Sequence, residues 1–342
     1  MTDPAAASTS ANGDPGPDPR IGITVGDPRG IGPEIVRALL ADPPPGARFL
    51  VLGPDGVLGS GGAPGPASAG PPVEAIDVGS WNAGRDGEVE AGRLSAQAIE
   101  RAIELALEGE LDGLVTGPIS KAALAAAGWI FPGHTELLRE RTAAPDVTMM
   151  MAAEATPLGG PLRMALLTAH IPLREVTERL DEELTARRAR IALRALRDWW
   201  GIPRPRVAFA GVNPHASEGG LFGDEESRVL VPAARRLEAE GEAEVSGIFP
   251  ADTAFRRTIE GRDDLVVVPY HDVGLAVIKT VARETGVNVT AGLPFPRTAP
   301  DHGTAFDIAG RGVADPRSMK AAVDLCLRFC RRLAATPAAR LP

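Results

Sequence analysis

The chain contains only five histidines: His134, His170, His215, His271 and His302. Each lies in or beside a turn marked by glycine or proline, in FPGHTE, LLTAHIP, GVNPHASEGG, VVPYHDVG and PDHGTA. His170, His215 and His271 directly follow apolar runs that read as strands, and strand ends are where open α/β sheets gather ligands and catalysts. Two readings stand side by side: hydrogen-bonding turn residues, or a three-histidine metal site with no short motif of the H-E-x-x-H kind. Imidazole ligands suit zinc or another transition metal better than magnesium, which prefers oxygen. Three protein ligands would leave one coordination position open for substrate.

Lysine is rarer still. Of 36 basic residues only Lys121, Lys279 and Lys320 are lysine. A compact ammonium binds phosphate as a point charge and shifts its pKa when buried, whereas arginine offers a rigid fork. Lys320, in PRSMKAAV, reads as a helix-surface residue. Lys279 is followed at nine-residue intervals by Asn288 and Arg297. Placed on successive strand-to-loop junctions, the three could clamp a phosphate or a carboxylate. Among the carboxylates, Asp272 beside His271, Asp252 in FPADTAF and Asp27 in the first glycine-rich turn could face one cleft. All three are also ordinary turn formers.

The elements that must position these groups alternate. Residues 91–109 carry helical spacing, with Ile99, Ile103 and Leu107 on one stripe. LDGLVTGPISK reads as a strand ending in a turn, and residues 173–200 as one long charged helix closed by the packing residues Trp199 and Trp200. The runs RVAFAGVN, SGIFPADT, DLVVVPY and GVNVTAGLP read as further strands, which together predict an α/β layered fold. Residues 1–20 read as a disordered tail, and residues 53–73 as a loose loop between two short strands. Cys326 and Cys330, one helical turn apart, read as two small apolar residues on one helix face.

With 342 residues and 44% apolar content the chain can bury a substantial core. A net charge of -9 and a pI near 5.2 argue against nucleic acid or an anionic membrane as main partner, so an anionic substrate needs a local basic site. No apolar run reaches the roughly 20 residues of a membrane span, and the start lacks a signal-peptide pattern. A cytoplasmic protein is the expectation.

The stretch GITVGDPRGIGPEI, residues 22–35, is a strand–turn–helix with Pro33 suited to a first helical turn. It is no dinucleotide fingerprint, because Ile35 stands where G-x-G-x-x-G needs its last glycine, and no Walker loop, because lysine is absent.

Together with VTGPISKAAL, GHTELL, TAHIPL, GVNPHASEGGLFGDEE, PADTAF, YHDVGLAVIK and GVNVTAGLPFPRTAPDHGTAFDIAGRG, that stretch resembles the 4-hydroxythreonine-4-phosphate dehydrogenases of vitamin B6 biosynthesis, over residues 21–335. The resemblance implies an isocitrate/isopropylmalate dehydrogenase-like fold of two α/β layered domains around a cleft. Their bounds would be 21–133 plus 300–336 on the cofactor side, and 134–299 for metal, substrate and dimerisation. It implies a divalent metal on His170, His215 and His271, zinc first and magnesium or cobalt as alternatives. Substrate contacts would come from His134, Thr135, Lys279, Asn288 and Arg297, in a homodimer that shares its metal ligands between subunits.

NAD or NADP would lie along HGTAFDIAGRG, through His302, Gly303, Thr304 and Asp307, with Asp27 and Gly30 of the opening turn beside it. Asp252, Asp272 and Lys279 would serve the chemistry: oxidation of 4-hydroxy-L-threonine 4-phosphate, then decarboxylation. Two residues depart from the family pattern, Val273 where glutamine is common and Ala276 where proline is. They leave open the same reaction on 4-phospho-D-threonate, 4-phospho-D-erythronate or a cyclic diol dicarboxylate. A metallohydrolase without NAD and a non-catalytic metal-binding protein are the remaining alternatives.

Overall fold

A computed structural model describes residues 17–56, 71–82, 87–131 and 133–336. Eleven strands form one sheet: β1 (Arg20–Thr24), β2 (Arg48–Asp55), β3 (Val73–Ser80), β4 (Gly113–Thr116), β5 (Thr148–Ala153), β6 (Leu162–Leu166), β7 (Arg206–Ala210), β8 (Glu244–Phe249), β9 (Leu265–Val268), β10 (Val287–Ala291) and β11 (Arg297–Pro300). Their order is β3-β2-β1-β4-β11-β10-β5-β6-β9-β7-β8. Strands β3, β2, β1, β4 and β11 form one parallel block, and β6, β9, β7 and β8 another. Between them β10 and β5 make three successive antiparallel pairings, so the two parallel blocks run in opposite directions.

Helices α1 (Gly32–Leu40), α2 (Gly87–Leu107), α3 (Lys121–Ala126), α4 (His134–Arg141), α5 (Leu173–Arg179), α6 (Glu182–Ala195), α7 (Val231–Ala239), α8 (Ala251–Ile259), α9 (His271–Val281) and α10 (Arg317–Ala335) cover the sheet. The expected long helix over 173–200 is broken. Leu180 turns extended, and Asp181 restarts the chain as an N-cap whose carboxylate accepts from Leu184 N at 2.6 Å. Its closing tryptophans are packing residues as expected: both rings lie against Phe329, with centroids 5.4 and 4.4 Å away. Cys326 and Cys330 are buried free thiols on α10.

Of the expected tail, residues 1–16 lie outside the described residues, and Arg20 already opens β1. Residues 57–70 of the expected loop also lie outside them, while 53–55 belong to β2. No helix among the described residues is long and apolar enough to cross a membrane.

Because side chains alternate along a strand, the sheet has two faces with different contents. One face is a single continuous core. Ile23, Val51, Val115, Val289, Met150, Ala165, Val267 and Phe209 run across it under α1, α6, α7 and α10. The other face carries two separate cores. Leu50, Leu52 and Leu114 pack with α2 and α4 at one end, and Met151, Met164, Val266 and Ala208 with α8 and α9 at the other. Between these two cores, β11 and β10 present Arg297, Asn288 and Thr290, side chains that cannot join an apolar cluster. That interruption is the cleft.

Candidate functional site

The cleft encloses about 210 Å³ and is lined by Thr116, Lys121, His134, Thr135, Met149, His170, Lys279, Asn288, Arg297, Asp301, His302 and Gly303. Its floor is Arg297, the first residue of β11 and 2% exposed. The guanidinium donates to Thr290 Oγ1 at 3.0 Å, to Asn288 Oδ1 at 3.3 Å and to Thr116 Oγ1, while its Nε has no partner. All these acceptors are neutral. Burial pushes the Arg297 pKa down to about 9, opposed only by the more distant charge of Glu136. The group is still cationic at neutral pH, and a buried cation without a carboxylate in contact is a strong call on an anion.

Helix α4 brings His134 and Thr135 to the cleft behind Gly133. Desolvation holds the His134 pKa well below the imidazole range, helped by the charges of Arg297 and Lys121, and its Nε2 is buried without a partner. Lys121, at the start of α3, lines the same wall. Two residues further along α4, Glu136 Oε1 lies 3.8 Å from His170 Nδ1. That imidazole is the main reason the Glu136 pKa lies below the usual carboxylate range despite partial burial. Glu136 Oε2 is buried without a partner.

His170 lines the cleft and meets His271 of an adjoining pocket, their ring centroids 5.7 Å apart. Each follows its strand as expected, after β6 and β9. His271 opens α9, and its Nδ1 lies 2.7 Å from Asp272 Oδ1. That pairing leaves Nε2 for a ligand and fixes the ring orientation. Asp272 itself is 87% exposed. Lys279 lies on α9, two turns beyond His271, rather than at a strand-to-loop junction. Its Nζ reaches Asp301 Oδ1 at 3.5 Å across the cleft. Burial raises the Asp301 pKa against the pull of that lysine.

His215 is not gathered with the other two. Among the described residues no set of three His, Cys, Asp or Glu side chains is disposed to hold a metal. His215 sits on the loop after β7, beside Phe222 with centroids 6.1 Å apart. Residues 215–219 run through five successive left-handed conformations, four of them at non-glycine residues, a strained arrangement that needs external support. Buried Glu226 supplies it, accepting from Val212 N and Asn213 N at 2.8 Å each and from Asn213 Nδ2 at 2.9 Å. At the tip Leu221 is 72% and Phe222 45% exposed.

The opening turn and the loop at 302–312 are joined. Ile31 N donates to Thr304 O at 2.9 Å, and a Cβ on Gly30 would lie 2.7 Å from the same carbonyl. Gly26, at φ +82°, likewise leaves room for Pro118 O. His302 Nε2 is buried without a partner, and Gly303 lines the cleft.

Two expected carboxylates lie outside the cleft lining. Asp27 is fully buried and consumed by Arg29, whose backbone N, Nε and Nη2 all donate to it at 2.8–3.0 Å. Its role is to hold Arg29 over the Phe306 ring, 4.9 Å from the centroid. Asp252 faces a separate cavity on α8, beside Leu158, Phe255 and Val277. Asp307 is exposed on its loop.

The match to known proteins decides the family. A family model described as pyridoxal phosphate biosynthetic protein PdxA matches residues 66–326. The chain belongs to that family. It is 40% identical to a 4-hydroxythreonine-4-phosphate dehydrogenase of Desulfosudis oleivorans, over 94% of this chain and 99% of that one. The corresponding enzyme of Beijerinckia indica is 41% identical, over 91% and 95%. The solved enzyme of the same name from Klebsiella pneumoniae superposes with a TM-score of 0.78 at 40% identity, covering 91% of this chain and 99% of that one. A terephthalate 1,2-cis-dihydrodiol dehydrogenase from Burkholderia xenovorans is also similar, with TM-score 0.63 and 28% identity, over 90% and 97%. The fold of this PdxA-family chain is shared more distantly with a β-decarboxylating dehydrogenase of Thermococcus kodakarensis, at 14% identity and TM-score 0.50, over 93% and 89%.

Sequence reasoning singled out the cations of the site and missed part of their surroundings. Thr116 of β4, Glu136 of α4, Thr290 of β10 and Asp301 just past β11 come from separate segments of the chain. The one available signal was the order of motifs, since Glu136 lies in GHTELL and Asp301 in PDHGTA.

Proposed function

We propose that the chain oxidises the secondary alcohol of 4-hydroxy-L-threonine 4-phosphate, with decarboxylation of the resulting β-keto acid, in pyridoxal phosphate biosynthesis. The observation that carries this reading is Arg297. It is a buried cation with only neutral contacts and one unpartnered N–H, set in a cleft with Lys279, Asn288 and His134. Such a floor favours a phosphate or carboxylate over any neutral ligand, and the relatives at about 40% identity bear the name of the enzyme for that substrate.

The donor chemistry fits a divalent cation in part: two imidazoles face one another and Asp272 orients one of them. A third ligand is needed. The exposed Leu221 and Phe222 beside His215 support a homodimer in which the partner subunit's His215 completes the set. For NAD or NADP, the joined turn and loop at Gly30 and Thr304, continuing from the cleft residues His302 and Gly303 toward Asp307, would hold the dinucleotide. Held there, a divalent cation, zinc first, would make the carbinol more acidic and a nicotinamide dinucleotide would supply the hydride acceptor.

The chain's own residues do the remainder. Arg297, Asn288 and Lys279 hold the anionic ends and fix the carbinol in one orientation. Neutral His134 donates or accepts a hydrogen bond without adding charge. Asp301 replaces Asp252 as candidate proton acceptor, because its Oδ1 lies in the cleft beside Lys279 Nζ, and Asp272 acts through His271. Lys279, beside Asp301, is the group available to return a proton after carbon dioxide leaves.

The test is reduction of NAD followed by ultraviolet absorbance, offering 4-hydroxy-L-threonine 4-phosphate, 4-phospho-D-threonate and 4-phospho-D-erythronate in parallel. Turnover of the amino substrate, abolished by a chelator and by His215→Ala, supports the proposal. Turnover of a phosphosugar acid alone overturns the substrate while leaving the chemistry. Metal binding with no dinucleotide binding and no turnover overturns the dehydrogenase reading.

A further inference from the structure

A second cavity lies apart from the cleft, enclosing about 600 Å³ and bordered by α4 at Arg139. One wall is a stripe of α6 and the turn that follows it, bearing Arg187, Arg188, Ile191, Arg194 and Trp199. Arg139 of α4 and Asp146 form the facing wall, and Gly292 and Leu293 of the β10–β11 connection the floor. Gly292 keeps that floor open. At φ +97°, a Cβ there would stand 2.6 Å from Asp146 O and 3.1 Å from Ile191 Cγ2.

The charges in this cavity do not balance. Four guanidinium groups face two carboxylates. Asp146 already serves both Arg187 at 2.8 Å and Arg188 at 3.1 Å, and Asp198 serves Arg194 at 3.5 Å. Among the described residues Arg139 donates only to the carbonyl of Pro145, at 3.2 Å. Arg188 is the most enclosed of the four, and its Nε is buried with no partner. Burial lowers its pKa, and the like charges of Arg187 and Arg139 lower it further against the pull of Asp146. Four guanidinium groups around one cavity repel one another, a repulsion that a bound anion relieves, and the arginine fork suits a planar or tetrahedral oxyanion. Below the charges, Ile191, Leu293 and Trp199 offer apolar surface for the body of such a molecule.

We propose that this cavity binds a small organic oxyanion, a phosphate ester or carboxylate carried on an apolar body, at a site separate from the catalytic cleft. The inference does not rest on the dehydrogenase reading. It bears on the cleft all the same, because α4 borders both, and the connection flooring the cavity joins the strands that carry Asn288 and Arg297.

The experiment is calorimetric titration of the full chain with phenyl phosphate, and separately with benzoate to distinguish phosphate from carboxylate as the preferred head. Lys279→Gln weakens the cleft site alone. The double variant Arg187→Gln/Arg194→Gln weakens the cavity site alone, with Arg194→Gln as the milder partner should the double variant fold poorly. Arg256→Gln, on the exposed face of α8, controls for loss of charge. The expected result is two phenyl phosphate sites per chain, one of which rises in Kd by about tenfold or more in the arginine variants only. A single site that disappears in Lys279→Gln and is untouched by the arginine variants overturns the proposal. So does the absence of any site outside the cleft, as when a second copy of the chain fills the cavity.

Discussion

The two faces of the sheet are built from the same strands, yet one is an uninterrupted apolar layer and the other is split in two. On the first face, alternate residues of neighbouring strands from β2 to β7 join one core, with Thr298 of β11 the polar exception. On the second, the apolar series stops at Leu114 and resumes at Met151, and Arg297, Asn288 and Thr290 occupy the gap. The difference teaches where stability and where function reside. Close-packed apolar area stabilises roughly in proportion to its extent, whereas a buried guanidinium with neutral partners costs stability and is useful only to an anion.

Substitutions at four positions can break or sharpen that contrast. Arg297→Met is expected to lower kcat/KM on the order of 10³-fold while leaving the melting temperature unchanged or higher, since removing a buried charge is often neutral or stabilising. A large fall in stability would mean that Arg297 is structural. Phe209→Ala, on the continuous face, should cost about 3–5 kcal/mol in denaturant unfolding with turnover per folded molecule intact. Loss of turnover at full folding would show that the two faces are coupled.

Glu226→Ala removes the acceptor for three donors at the base of the His215 loop. It should weaken divalent metal binding by about 10–100-fold, with partial rescue in Glu226→Gln, which keeps one carbonyl oxygen. Equal affinity in all three proteins would separate that loop from the metal.

The smallest effect concerns pH. The His134 pKa is lowered in the folded chain, so the unfolded chain binds the proton more readily. Its contribution to stability is complete above the unfolded value of about 6.5 and is lost as pH falls below it, at up to about 1.4 kcal/mol per pH unit. His134→Gln should flatten that part of the stability profile, as read by denaturant midpoints between pH 7 and 5.

Much of this was legible before any fold was known. Apolar runs ending at glycine or proline marked β6, β7 and β9, and with them the positions of His170, His215 and His271. The scarcity of lysine drew attention to Lys121 and Lys279, both of which line the cleft. Local reading stops where partners decide roles. Asp27 carries the same chemical promise as Asp301, but it lies two residues from Arg29 and is neutralised by it. Asp252 sits in a suitable turn sequence, yet α8 turns it toward another cavity. The break at Leu180 was hidden because the helical pattern resumes directly after Asp181.

The sequence by itself determined the strand and helix periods, the glycines where backbones touch, and the residue types available for anion and metal binding, because these follow from side-chain chemistry and local spacing. Only the tertiary structure decided which of them meet. It set Thr116, Thr290 and Asn288 around Arg297, joined Lys279 to Asp301, paired His170 with His271 and held His215 apart. Those outcomes depend on strand register and on the reversal of direction at β10 and β5, where residues more than 170 positions apart in the chain, Thr116 and Arg297, become hydrogen-bonded neighbours.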